Sequence, residues 1–251
     1  MGDAISGRAL SSINPTANPA GAVPTASILD IFSSRQGEGI CVGDSQIFIR
    51  FGGCNLVCDY CDTPESIPAK SGLTYSLDTV VERVTQWSSI PAPVVSLTGG
   101  EPLTQVGFLQ ALIPVLREHG CSIYLETNGT LPGALAKVVN DCDWIAMDFK
   151  PESAIGRDQW EAHRWFLEMG GSKVFVKMVL TDRTAETEFQ RGVDLVATVG
   201  PAIPLILQPA TPWASARSIP LARLTSWWVW ATQRLKDVRI IPQIHRLWEI
   251  A

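Results

Sequence analysis

The sequence predicts an α/β fold, an open and partial barrel of six β–α units. Two observations predict it. Short apolar runs alternate with longer segments of helical periodicity, the pattern of a parallel sheet with covering helices. The polar motifs that stand out fall just after the apolar runs, where α/β barrels place their chemistry. Six principal units are too few to close an eight-stranded barrel, so the sheet is expected to stay open.

The elements follow in order. Residues 1–26 are rich in Ala, Ser, Pro, Gly and Asn and read as a mobile tail, followed by a single domain over 27–251. Gln46 to Arg50 is the first strand of the series. The stretch from Thr63 to about Leu73 is short for a complete crossover helix, so that helix is expected to be reduced or replaced by a loop. Leu77 to Trp87 is helical, with Leu77, Val80, Val81 and Val84 on one face. Pro93 to Leu97 is a buried strand, Leu109 to His119 a helix, Cys121 to Leu125 a strand and Leu131 to Val139 a helix. Trp144 to Met147, Val174 to Leu180 and Ile203 to Leu207 are strands. Trp160 to Met169, Glu188 to Thr198 and Leu221 to Leu235 are helices. Val238 to Ile241 is a last short strand.

Composition narrows the function. Hydrophobic residues make up 46% of the 251 residues and charged ones 18%, which suits one large core. The net charge of −5 carries no basic footprint for nucleic acid. No apolar run reaches membrane-spanning length, and the N-terminus lacks a secretory pattern. The expected partner is a small molecule. Six cysteines, three of them clustered, point to a reducing cytoplasm rather than a disulfide scaffold. Cys41, Cys121 and Cys142 are scattered and read as structural.

The clustered three carry the most information. Cys54, Cys58 and Cys61 form C-x3-C-x2-C directly after an apolar strand. Structural zinc takes four protein ligands. A cubane iron–sulfur cluster bound by three cysteines keeps one iron open to another ligand. The spacing, with Tyr60 before the third cysteine, resembles the radical S-adenosylmethionine (radical SAM) enzymes. That resemblance implies a 4Fe–4S cluster that chelates SAM and cleaves it to a 5′-deoxyadenosyl radical. It also implies an open (β/α)6 TIM-like barrel of the radical SAM type.

Further motifs sit at the strand ends. Thr98-Gly-Gly-Glu-Pro102 follows the second strand, Glu126-Thr-Asn-Gly129 the third and Asp148-Phe-Lys-Pro151 the fourth. Lys177 lies late in the fifth, and Gln208-Pro209 follows the sixth. Taken singly, these are ordinary turns and caps. Their joint arrival on one barrel face is what suggests a site. Gly99-Gly100 lets backbone approach a ligand, and Glu101 offers an anion for an ammonium. Asn128 and Gln208 are uncharged groups able to pair with ribose or adenine edges. Upstream, Gln36-Gly-Glu-Gly39 sets an amide and a carboxylate two residues apart, a device for reading a heterocycle. Arg50 is placed to clamp a carboxylate.

Together these strings resemble the 7-carboxy-7-deazaguanine synthases of queuosine and deazapurine biosynthesis. The resemblance runs from about Ile28 to Ala251. Its marks are F-S-S-R-Q-G-E-G, I-R-F-G-G-C-N-L-V-C-D-Y-C-D-T, L-T-G-G-E-P-L, L-E-T-N-G, D-F-K-P, L-Q-P and I-P-Q-I-H-R. It implies a lyase that converts 6-carboxy-5,6,7,8-tetrahydropterin to 7-carboxy-7-deazaguanine with loss of ammonia. It assigns Thr63 to a Mg2+ ion bound with the substrate. It assigns Tyr60, Asp62, Gly99, Gly100, Glu101, Asn128, Asp148, Lys150 and Gln208 to SAM. Arg35, Gln36, Gly37, Glu38, Arg50, Thr98, His245 and the carboxylate of Ala251 are assigned to the substrate. It further implies an electron donor such as flavodoxin or ferredoxin. Separately, Trp227, Trp228 and Trp230 read as core or a subunit interface, where aromatic anchors are enriched, and point to a homodimer.

The chain departs from the family at two places. Asp148-Phe149-Lys150 stands where many members have Ser-Pro-Lys, and Arg35 where the position is often apolar. Two other readings stay open at this point. One is a radical SAM activase acting on a protein. The other is a zinc-binding interaction module, which needs a fourth ligand that the sequence does not offer beside the triplet.

Overall fold

The computed structural model describes residues 23–87, 92–212 and 216–248. In chain order the elements are β1 (Thr25–Arg35), β2 (Ser45–Phe51), β3 (Leu73–Ser76) and α1 (Leu77–Thr85), then β4 (Val94–Gly99) and α2 (Val106–Glu118). They continue with β5 (Ser122–Thr127), α3 (Pro132–Leu135), β6 (Trp144–Phe149), α4 (Glu152–Ile155) and α5 (Trp160–Gly170). The last are β7 (Val174–Leu180), α6 (Glu186–Val199), β8 (Leu205–Pro209), α7 (Leu221–Thr232), β9 (Val238–Ile240) and α8 (Ile244–Trp248).

One sheet of nine strands runs β3-β1-β2-β4-β5-β6-β7-β8-β9. Every pair from β2 to β9 is parallel. β1 is antiparallel to both its neighbours. The six expected units are present, and the sheet is longer than expected by β1 and β3. Thr25 and Ala26, read as tail, are the first residues of β1; the rest of that tail up to residue 22 lies outside the described residues. β1 escapes the period-2 pattern because its register shifts between Ile28 and Asp30. After Thr63 the chain makes a single 3-10 turn, Pro64–Ser66, in place of a crossover helix. The helix expected over Leu131 to Val139 is only one turn, α3, followed by a 3-10 turn at Val139–Asp141.

Local chemistry sets the helix ends. The Ser76 hydroxyl accepts from the Thr79 N–H and starts α1. Glu188 reaches back to the Ala185 N–H and starts α6. The helices then bury one stripe each, such as Leu109, Leu112, Ile113 and Leu116 of α2 and Phe166 and Leu167 of α5.

Each parallel strand divides its side chains between two faces. In β2, Ile47, Ile49 and Phe51 join the main core under the helices. Gln46, Phe48 and Arg50 take the other face. In β6 the outer set is Ile145, Met147 and Phe149, and the inner set Trp144, Ala146 and Asp148. The lower inner face is filled by Tyr124, Ala146, Phe175 and Ile206. Above that plug, toward the C-terminal strand ends, the inner face turns polar and opens into a cavity.

Candidate active site

The cavity encloses about 410 Å³, the size of a small-molecule site. Every residue assigned above to cluster, SAM, magnesium or substrate lines it, with two exceptions. Ala251 lies outside the described residues. Glu101 lies behind the wall rather than on it. Its carboxylate is fully buried and accepts from the Leu103 N–H at 3.0 Å, the Thr127 hydroxyl at 2.9 Å and the Asn128 N–H at 2.7 Å. Burial pushes its pKa up to about 7, against those donors, which lower it. Glu101 therefore ties the end of β4 to the end of β5 and does not present an anion to the cavity.

Cys54, Cys58 and Cys61 are free, half-buried thiols at one end of the cavity. Burial raises the pKa of each. Three soft sulfur donors lining one cavity leave a fourth position open, which suits a cluster with one free iron, so the residues present fit one.

The glycine pair lines the cavity and also has a packing task. A Cβ on Gly100 would lie 2.3 Å from the Gly53 carbonyl oxygen, and one on Gly99 would lie 2.3 Å from that of Phe51. Gly99 also holds φ +120°, which L side chains rarely adopt. The pair lets β4 press against the backbone that leads into the cysteine loop, with Gly100 N–H bonding Phe51 O at 3.0 Å and Glu101 N–H bonding Gly53 O at 2.9 Å. Gly100→Val is expected to displace that loop, at a cost of about 1–3 kcal/mol or more. A lower thermal midpoint together with weaker iron retention on reconstitution checks this; wild-type values for both would refute it.

Two polar regions share the rest of the cavity. One lies toward β8. The Gln208 side chain is fully buried, and neither its amide nitrogen nor its oxygen has a partner among the described residues. An orphaned buried amide on a cavity wall fits a ligand with paired donor and acceptor edges, as a nucleoside has. Asn128 is more constrained than the sequence suggests. Its side chain already bonds Asn55 and the Thr130 hydroxyl, at 2.8 and 2.6 Å. Its carbonyl meets buried His163, whose pKa burial lowers to about 4.

The other region lies between the Q-G-E-G loop and the C-terminal segment. Gln36 donates to Glu126 at 2.8 Å, and Glu126 also accepts from Thr98 at 2.7 Å. Arg50 sits 5.5 Å over the Phe32 ring and 3.4 Å from the Thr63 hydroxyl. Thr63 donates to Asp62 at 3.2 Å. His245 approaches both Asp62, at 3.6 Å, and Glu38, at 4.0 Å. Potential ligand atoms of Glu38, Asp62 and His245 lie within 4.8 Å of one another. The Asp62 carboxyl is held well below the usual range: burial raises it, and His245, Lys177 and Arg246 outweigh that. Arg35 lies at the rim, bonded to the Gly43 carbonyl at 3.2 Å.

Sequence reasoning misses Gln243, which donates to Glu38 at 2.9 Å and Asp62 at 3.1 Å. Lys177 stands out in the sequence only by its place in the strand. It contacts Glu38 and lies 3.2 Å from Asp148, which in turn holds Lys150 at 2.9 Å. Lys150 covers the Tyr60 ring at 5.0 Å. A lysine inside Val174-Phe-Val-Lys-Met-Val-Leu180 is the signal for this network, since lysine is rarely buried unless paired.

The family model of the radical SAM superfamily matches residues 48–151. The 7-carboxy-7-deazaguanine synthase of Geobacter sulfurreducens is 41% identical to this chain over 89% of it and 97% of its own length. The chain belongs to the 7-carboxy-7-deazaguanine synthase family. A second member, from Methanopyrus kandleri, is 34% identical over 89% of this chain and 94% of its own. Among solved structures, QueE from Escherichia coli shares the fold with a TM-score of 0.60 and 21% identity, covering 88% of this chain and 95% of that one. A radical SAM enzyme acts on a small molecule in this family and needs a reductant. The zinc-module reading is thereby set aside, and so is the activase. Among the described residues no helix is long and apolar enough to cross a membrane.

Proposed function

We propose that this chain is a 7-carboxy-7-deazaguanine synthase, converting 6-carboxy-5,6,7,8-tetrahydropterin to 7-carboxy-7-deazaguanine with loss of ammonia. The observation that carries the reading is one cavity lined both by the three cysteines with Gln208 and by the Gln36, Glu38 and Arg50 group. Cys54, Cys58 and Cys61 would hold a 4Fe–4S cluster, which with SAM and a reductant would supply the radical chemistry.

The chain's own residues supply position and electrostatics. Gln208 pairs with the nucleoside part of SAM, the backbone of Gly99 and Gly100 with its amino group, and Lys150 with its carboxylate. Tyr60, Asn128 and Asp148 wall the same region, and Asp62, assigned to SAM as well, stands where it meets the substrate group. Gln36, Gly37 and Glu38 read the donors and acceptors of the pterin ring, beside Arg35, Thr98 and His245. Arg50 clamps the pterin carboxylate. Thr63, between Arg50 and Asp62, is the ligand we assign to Mg2+, with the acidic group of Glu38 and Asp62 nearby. The C-terminal carboxylate of Ala251 completes the substrate set. The reductant is a flavodoxin or ferredoxin, and the working form is a cytoplasmic homodimer. Exposed Leu221, Trp228 and Val229 on α7 support the dimer.

Anaerobic reconstitution with iron and sulfide, then SAM, reductant, Mg2+ and 6-carboxytetrahydropterin, tests the reading by product mass. The deazapurine product is expected; SAM cleavage with the pterin returned unchanged would overturn the substrate. In the same assay Thr63→Ala is expected to weaken the response to Mg2+ and leave the cluster's absorbance unchanged. A wild-type Mg2+ response would remove Thr63 as the ligand.

A further inference from the structure

Lys177 belongs to neither ligand set, yet it joins them. It projects from the inner face of β7, and its side chain is 13% exposed. Isolated, an ammonium there would be costly to bury; two carboxylates share it. Glu38 contacts it from the substrate side, and Asp148 lies 3.2 Å away on the SAM side. Asp148 uses the same oxygen, Oδ2, for both Lys177 and Lys150. Its other oxygen, Oδ1, is buried and has no partner among the described residues. The array Glu38, Lys177, Asp148, Lys150 therefore alternates in sign from the Q-G-E-G loop to the ring of Tyr60, and one member has an empty acceptor position.

Such an array has two arrangements. A ligand whose N–H groups donate to Glu38 competes with Lys177 for that carboxylate. Asp148 is then the carboxylate left in direct contact with Lys177, with Glu126 and Asp62 farther off, and its bare oxygen is ready to accept the ammonium. A second ammonium drawn fully onto Asp148 repels Lys150 and weakens its hold. Lys150 is then free to meet a ligand carboxylate. We propose that Lys177 is a positioning residue that moves from Glu38 toward Asp148 when the pterin binds, releasing Lys150 for SAM. This rests on the ligand placement of the preceding subsection. It makes the two ligands bind with positive coupling, and coupling between sites is reciprocal.

The test is SAM affinity by equilibrium dialysis on reconstituted protein with the cluster left oxidised, so that no turnover occurs. Dialysis is run with and without saturating 6-carboxytetrahydropterin, whose own binding is followed by fluorescence. Wild-type protein is expected to bind SAM at least about fivefold more tightly with the pterin present. Lys177→Gln is expected to bring that ratio to unity, and Lys177→Arg to keep it. If Lys177→Gln does not hold its fold by circular dichroism, Asp148→Asn removes the receiving group and is expected to give the same loss. Pterin binding by wild type without any change in SAM affinity overturns the relay alone, as does a ratio retained by the variant used. No pterin binding by wild type overturns the substrate assignment, and the relay with it.

Discussion

Alanine at Cys54, Cys58 or Cys61 is expected to abolish both iron retention and SAM cleavage after anaerobic reconstitution. Each cysteine sits at the cavity, and among the described residues no other cysteine lines it to replace a lost thiolate. The scattered cysteines provide the control. Cys142 is buried in the core with its thiol donating to the Val138 carbonyl, and Cys121 is buried there too. Cys41 lies beside the plug of Tyr124 and Phe175. Alanine at any of these three is expected to leave iron content and cleavage at wild-type levels. Iron and acid-labile sulfide measured beside 5′-deoxyadenosine release decide the matter. Full cleavage by one of the first three variants would sink the cluster assignment.

Arg50→Ala is expected to raise the apparent KM for 6-carboxytetrahydropterin steeply, while slow SAM cleavage without the pterin persists. Arg50 is half-buried, stacked on Phe32 and next to Thr63, so a carboxylate bound there is drawn out of water. Leaving such a charge without its partner costs on the order of 2–5 kcal/mol, or roughly 30-fold or more in affinity. Titration of both ligands against the variant checks it. Unchanged pterin affinity with lost SAM affinity would mean that the two ligands are placed the wrong way round.

Much of this site is legible in the sequence because a polar side chain at the end of an apolar strand adds nothing to the packed core. Arg50, Thr98, Asp148 and Gln208 each break an apolar run where the strand ends, and each lines the cavity. Glu101 shows the limit of motif reading. Counting by two from Thr98, which faces inward, gives Gly100, so Glu101 falls on the far side of the strand end. Strand parity holds that information, and the motif alone does not. Contacts between distant segments are out of reach. Glu38 and Lys177 are 139 positions apart, and only the closure of the fold brings them together. β1 is hidden by a local irregularity that breaks the alternation on which strand reading depends.

The alternation along β2 and its neighbours also bears on how such a chain can change over generations. Ile49 and Arg50 are adjacent in sequence, yet one packs under helices and the other faces the ligand. A substitution at an inward position alters what is bound and leaves the packed layer beneath the helices untouched. Chemistry and stability are thus exposed to selection separately, one residue apart. A lineage can drift toward a new substrate through Arg50, Thr98 or Lys177 while Ile49, Leu97 and Val176 keep the scaffold intact.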